Sequence, residues 1–243
     1  MIRFFFFSIL TLTLVCSCKN NDRNNNRGLN LVDFPTMQQS TDYTCGCMAA
    51  RMVLEYYGAE NESEEILATK MHTHVDGCQA DSKPGSAWRL TDFGTSVEEL
   101  WQYFHNREDF SIVASSYCPD CSPTLLSDTA VVGIQAVGNV QPQFADYSDA
   151  AKFFSEHLQQ HRPIMVCWNM WGGHWTVCIG YDDNGTPDFY DDDILTMADP
   201  YDSTDGITDG TTRVGLVQFF YDWFCIMTPK PWQLQPYLIV DTI

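Results

Sequence analysis

The segment Gln39-Ser40-Thr41-Asp42-Tyr43-Thr44-Cys45-Gly46-Cys47-Met48-Ala49-Ala50-Arg51-Met52-Val53-Leu54-Glu55-Tyr56-Tyr57-Gly58 carries two signals at once. Ala49, Met52, Val53 and Tyr56 recur at spacings of three and four, which predicts an amphipathic helix over residues 45–57. Thr44 is the expected N-cap and Gly58 the stop. That register places Cys45 in the first helical turn, where the positive end of the helix dipole favours thiolate over thiol. The thiolate is the nucleophilic form of cysteine. It still needs an imidazole to hold it as an ion pair and to protonate a leaving group.

Among six histidines, His174 stands out. It follows Trp171-Gly172-Gly173 and opens the apolar run that ends at Gly180-Tyr181. Glycines before it allow backbone or substrate to approach closely, and a histidine at the start of a buried strand is held rigidly, as a general base must be. A histidine so placed is more often structural, so context alone does not assign it. A third group must fix the imidazole's tautomer and orientation. Asp199 ends an expected strand just before Pro200, although an Asp-Pro of this kind is commonly only a turn.

The combination with Gln39, six residues before Cys45, is more specific. The segment from Gln39 to Gly58 resembles papain-like peptidases. More narrowly, it is similar to the bacterial double-glycine leader peptidases and their stand-alone relatives, whose motif is a Gln, then Cys-Gly with Ala nearby, then a helix ending in Tyr-Tyr-Gly. Gly173-His174-Trp175-Thr176-Val177 to Gly180-Tyr181-Asp182 resembles that family's histidine block, and Ala198-Asp199-Pro200 its aspartate block. The resemblance implies a Cys45–His174–Asp199 triad. It also implies an oxyanion hole formed by the Gln39 side-chain amide and the Cys45 backbone N–H. The order Cys, His, Asp and the Cys-to-His separation agree with papain-like enzymes.

Two positions depart from the family pattern. Thr44 stands where many relatives carry an acidic residue, and Cys47 stands two residues after the nucleophile in place of Pro or Ser. Cys47 is a rival nucleophile, but its distance from Gln39 fits poorly, and a buried small side chain or a disulfide partner is the alternative.

At the N-terminus, Arg3 precedes about a dozen mostly apolar residues, the pattern of an export signal and too short for a permanent span of roughly 20. It ends in Val15-Cys16-Ser17-Cys18, which resembles a bacterial lipobox with Cys18 as the lipidated residue. The alternative is an ordinary signal peptide with two incidental cysteines. The expected organisation is a signal peptide over 1–17, a polar flexible tether over 18–30, and one papain-like peptidase domain over 31–243. The protein is then expected in the bacterial cell envelope, lipid-anchored, with the outer membrane the expected site. With 13 basic against 32 acidic residues, nucleic acid is an unexpected partner; an acidic surface ordinarily means solubility. A peptide or protein substrate is the expected partner, with the membrane reached through the anchor.

Further helices are expected over 62–72, capped by Ser63 with Ile66, Leu67 and Met71 buried; over 95–104, with a Thr95/Glu98 capping box; and over 148–160, stopped before Pro163. Strands are expected over 164–168, 174–181, 194–198, 214–220 and 237–240, with 131–136 a further candidate. Helices followed by an antiparallel sheet indicate an α+β fold, here with a helical lobe, a sheet lobe and a cleft between them.

Export permits disulfides, and Cys118-Pro-Asp-Cys121 fits a local one better than a zinc site completed by His72, His74 and Cys78. The carboxylates around Asp199, from Asp182 to Asp209, match no EF-hand spacing. No metal or cofactor is expected, with calcium the one candidate. Trp171, Gly172 and Gly173 are expected to bind substrate, and Trp168, Trp171 and Trp175 either wall a groove or fill the core. The expected activity is hydrolysis of a peptide or amide bond through a thioester. Two alternatives are acyl transfer, of transglutaminase-like or phytochelatin-synthase-like type, and a surface peptide-binding lipoprotein without turnover.

Overall fold

The computed structural model describes residues 28–60, 62–73, 94–119, 143–203, 205–225 and 233–243. Their elements run in the order β1 (Leu29–Asn30), α1 (Cys45–Tyr56), α2 (Glu64–Lys70), α3 (Val97–His105), β2 (Phe110–Ser115), α4 (Tyr147–Gln159), β3 (Ile164–Trp168), β4 (His174–Asp182), β5 (Ile194–Ala198), β6 (Thr211–Gly215), α5 (Leu216–Asp222) and β7 (Tyr237–Thr242). The fold is α+β. One antiparallel sheet is ordered β2-β7-β3-β4-β5-β6, and β1 pairs with the far end of β4. Leu29 and Asn30 therefore belong to the sheet, although they fall in the stretch expected to be a tether. The candidate strand 131–136 and the signal segment lie outside the described residues.

β4 is the organising strand. It is buried from His174 through Gly180, so both of its faces are covered; a strand in that position reads as a continuous apolar run. α1 and α4 both pack on it. Gly46 permits the close approach of α1, since a Cβ there would stand 2.8 Å from Thr95 Cβ and 3.1 Å from Trp175 Cδ1. The Trp175 indole N–H donates to the Thr95 carbonyl at 2.8 Å, tying the start of α3 to β4. At its far end α1 stops at Gly58, left-handed at φ 66°. The Tyr57 hydroxyl there donates to the Val240 carbonyl on β7.

Several expectations are corrected by competing local contacts. Thr44 holds the N-cap position of α1 but makes no side-chain cap, because its hydroxyl donates to Glu64. The capping box of α3 is Ser96 with Glu99, one residue later than expected; Thr95 is instead buried and hydrogen-bonded to Thr73 at 2.9 Å. On α2, Ser63 caps as expected and Leu67 and Met71 are buried, but Ile66 is exposed. The expected strand over 214–220 is a strand that becomes a helix at Gly215. Leu216, Phe219 and Phe220 bury at helical spacing, and the Leu216 N–H donates to the Asp193 carbonyl. β2, an edge strand with a register shift between Ile112 and Ala114, shows no clean alternation and was not expected.

Candidate active site

Three elements converge on one pocket. α1 presents Cys45 from its first turn, β4 presents His174 from its first residue, and Asp199 follows directly after β5. Neighbouring β4 and β5 are paired from Val177↔Ala198 to Asp182↔Ile194, which brings the two strand ends together. His174 Nε2 lies 2.7 Å from Asp199 Oδ1. That nitrogen is thereby occupied, which leaves Nδ1 for the side-chain hydrogen bond between His174 and Cys45. The imidazole shares the pocket with the thiol and is held by the carboxylate.

Asp199 is fully buried and multiply held. Its Oδ1 also accepts the Tyr201 N–H at 2.9 Å, and its Oδ2 accepts the Thr212 hydroxyl at 3.1 Å. Burial works against the Asp199 carboxylate, but the hydrogen bond and charge of His174, with the N–H groups of Tyr201 and Asp202, outweigh it and hold the group below its ordinary range. For His174 burial likewise works against the charged form. The hydrogen bonds to Asp199 and Cys45, and their charges, outweigh it and raise the imidazolium to about 9.

Gln39 lines the same pocket. Its backbone N–H donates to the Pro200 carbonyl at 2.7 Å, fixing it beside the Asp199 turn. Its side-chain Nε2 donates to the Thr41 carbonyl at 2.5 Å, which uses one of two amide hydrogens and leaves the other for a ligand. The loop between Gln39 and Cys45 is braced from α2: Glu64 accepts the Ser40 N–H at 2.9 Å and the Thr44 hydroxyl. A carboxylate thus stands at Thr44 after all, supplied by the next helix.

The pocket encloses about 330 Å³ and is lined by Gln39, Asp42, Cys45, Trp171, Gly173, His174 and Tyr201. Gly172 shares the turn but not the lining. Of the three tryptophans, Trp168 and Trp175 are core, and Trp171 is 59% exposed. Asp42 and Tyr201 were not singled out from sequence, although Tyr201 stands only two residues after Asp199. Cys47 is outside the pocket. It is fully buried, its Sγ lies 3.1 Å from the Thr73 hydroxyl, and burial pushes its thiol up despite the lowering hydrogen bonds of Thr73 and Thr95.

Not all carboxylates near Asp199 are solvated. Asp193 is buried and accepts the Tyr181 hydroxyl; Asp202 is buried and accepts the Gly210 N–H at 2.6 Å. Among the described residues no group of three or more His, Cys, Asp or Glu side chains is placed to hold a metal ion. Cys118 is disulfide-bonded, while Cys121, His74 and Cys78 lie outside the described residues.

Fold and pocket together define a class: an α+β protein in which a histidine on the sheet joins a helix-borne thiol to a buried carboxylate. The chain belongs to the Peptidase_C39 like family, whose model matches residues 31–223, and so to the papain-like cysteine peptidase superfamily. No curated protein matches the chain.

Proposed function

We propose that the protein is a cysteine hydrolase that cleaves a peptide or amide bond through a thioester acyl-enzyme. The observation that carries this reading is the His174 imidazole, held by buried Asp199 at 2.7 Å, lining one pocket with Cys45 of the first turn of α1 and with Gln39. Cys45 attacks the carbonyl carbon as thiolate, and the oxyanion is stabilised by the Cys45 backbone N–H and the uncommitted amide hydrogen of Gln39. The His174 imidazolium then gives its proton to the leaving amine. Neutral imidazole next takes a proton from water, whose oxygen attacks the thioester and releases the acid. Asp199 holds the ring and its charge. The site lies in a papain-like cleft between α1 and the sheet. A peptide-library digest read by mass spectrometry, with Cys45→Ala as control, tests the reading; identical product profiles from the two proteins would overturn it.

The raised imidazolium sets a pH expectation. A histidine whose pKa is lifted from 6.5 to about 9 keeps its proton across neutral pH and loses it as pH rises through about 9. kcat/KM should therefore hold from about pH 7 to 8.5 and fall above about 9. An alkaline limb centred near the ordinary histidine value would contradict the bridged ion pair.

The segment before the domain is read as a lipoprotein signal with Cys18 as the anchor, which places the protein in the cell envelope, at the outer membrane. The intact protein should partition with membranes, and Cys18→Ala should release it in soluble form. Sedimentation of the mutant with membranes would refute the anchor.

A further inference from the structure

The lining of the pocket is electrically one-sided. Asp42 is exposed, and its carboxylate makes no hydrogen bond or ion pair with any described residue. No lysine or arginine among the described residues lines the pocket. Lys70, Arg107, Lys152, Arg162 and Arg213 are engaged with carboxylates elsewhere. Among the described residues the one cation that faces the pocket, the His174 imidazolium, is 3% exposed and already balanced by Asp199.

Two aromatic rings stand on the same rim. Trp171 is 59% exposed and Tyr201 46% exposed, and they meet edge-on with centroids 5.2 Å apart. Trp171 is held at φ 52°, a left-handed conformation that costs a bulky residue on the order of 1 kcal/mol. The flanking Gly172, at φ 94°, lets the turn form. The fold thus keeps a strained, solvent-facing indole at the edge of the pocket, where it does little for the core.

Exposed aromatic faces bind apolar groups and cations alike, but an unpartnered carboxylate lining the same pocket favours a cation. The net charge of −19 draws cationic ligands toward the protein as a whole. We propose that Asp42, Trp171 and Tyr201 form a recognition site for a cationic nitrogen of the substrate, next to the bond that is cleaved. The nitrogen belongs to an arginine or lysine side chain or to a free amino terminus. Cleavage rests on the hydrolase reading above, whereas recognition needs only the pocket.

Binding to Cys45→Ala protein, which keeps the pocket and removes the nucleophile, is the direct test. The probes are acetyl-Gly-Gly-Xaa-Gly-Gly-amide peptides with Xaa arginine, lysine, citrulline or glutamate, and the citrulline peptide with a free amino terminus. The arginine peptide should bind about tenfold more tightly than its neutral isostere citrulline, and glutamate most weakly. Adding Asp42→Asn should erase the arginine advantage and leave the citrulline peptide unchanged; Trp171→Gly, compatible with the backbone, should weaken both. If the unblocked citrulline peptide gains and the blocked arginine peptide does not, the amino terminus is the source of the cation. Equal binding of the blocked arginine, blocked citrulline and unblocked citrulline peptides, or an advantage that survives Asp42→Asn, overturns the proposal. The two readings fail separately. A wild-type protein that cleaves nothing while Cys45→Ala prefers arginine refutes hydrolysis and upholds recognition, and cleavage without charge preference does the reverse.

Discussion

Cys45→Ala should abolish turnover, a loss on the order of 10⁵-fold, while the fold and Cys47 remain intact. The size follows from the role: without a nucleophilic sulfur there is no acyl-enzyme, and only the oxyanion donors and substrate binding remain to act on water. Folding should tolerate the change, because Cys45, although buried, is a small side chain in the first turn of α1 on the pocket wall, and alanine removes only its sulfur. Iodoacetamide should alkylate Cys45 ahead of Cys47, whose thiol is sealed between Thr73 and Thr95 and raised by burial. Preferential labelling of Cys47, or activity that survives Cys45→Ala, would overturn the assignment.

The second large effect concerns the pair behind the nucleophile. His174→Ala should cost about 10⁴-fold in kcat, since it removes the proton carrier, and Asp199→Ala about 10²-fold, since it removes only the group that orients and charges the ring. Asp199→Ala also removes the carboxylate that accepts the Tyr201 N–H and the buried Thr212 hydroxyl, a destabilisation of about 1–3 kcal/mol in all. Asp199→Asn keeps an acceptor oxygen and removes the charge, so a comparison of thermal melts with rates separates fold from chemistry. Asp191, exposed on the surface, is the proper control carboxylate. Asp193 and Asp202 are not, because each is buried in a hydrogen bond of its own. Full activity in Asp199→Ala would mean that another group orients the imidazole.

Much of the arrangement is legible in the amino-acid sequence alone. α1, β3 and β5 emerge close to their expected bounds because each is a periodic or unbroken apolar segment with a clear stop. Cys45, His174 and Asp199, widely separated in the chain, are found together as the motif order implied. What stayed hidden depended on partners remote in sequence. Thr44 looks like a cap until Glu64 takes its hydroxyl, and Thr95 looks like the start of a capping box until Thr73 and Trp175 claim it. In the stretch around Gly215, residues 214, 216, 219 and 220 are compatible with alternation or with a helix, and only packing chose between them. Asp42 and Tyr201 are ordinary loop residues in sequence; their place on the pocket follows from the meeting of two turns.

The short first strand has a mechanical side. Leu29 and Asn30 grip Tyr181 and Gly180, and the Leu31 N–H reaches the Ile179 carbonyl at 2.8 Å, so a pull on the chain before residue 28 enters the molecule at the far end of β4. At about 3.3 Å per residue that grip is some 20 Å from the histidine end of the same strand. A load along the strand axis shears its ladder bonds together and spreads into the centre of the sheet, between β3 and β5. The loop carrying Gln39 begins beyond this strap and has its own fastening to Pro200. While the strap holds, a load on the leading segment enters the sheet before it can reach the thiol, the imidazole or the amide.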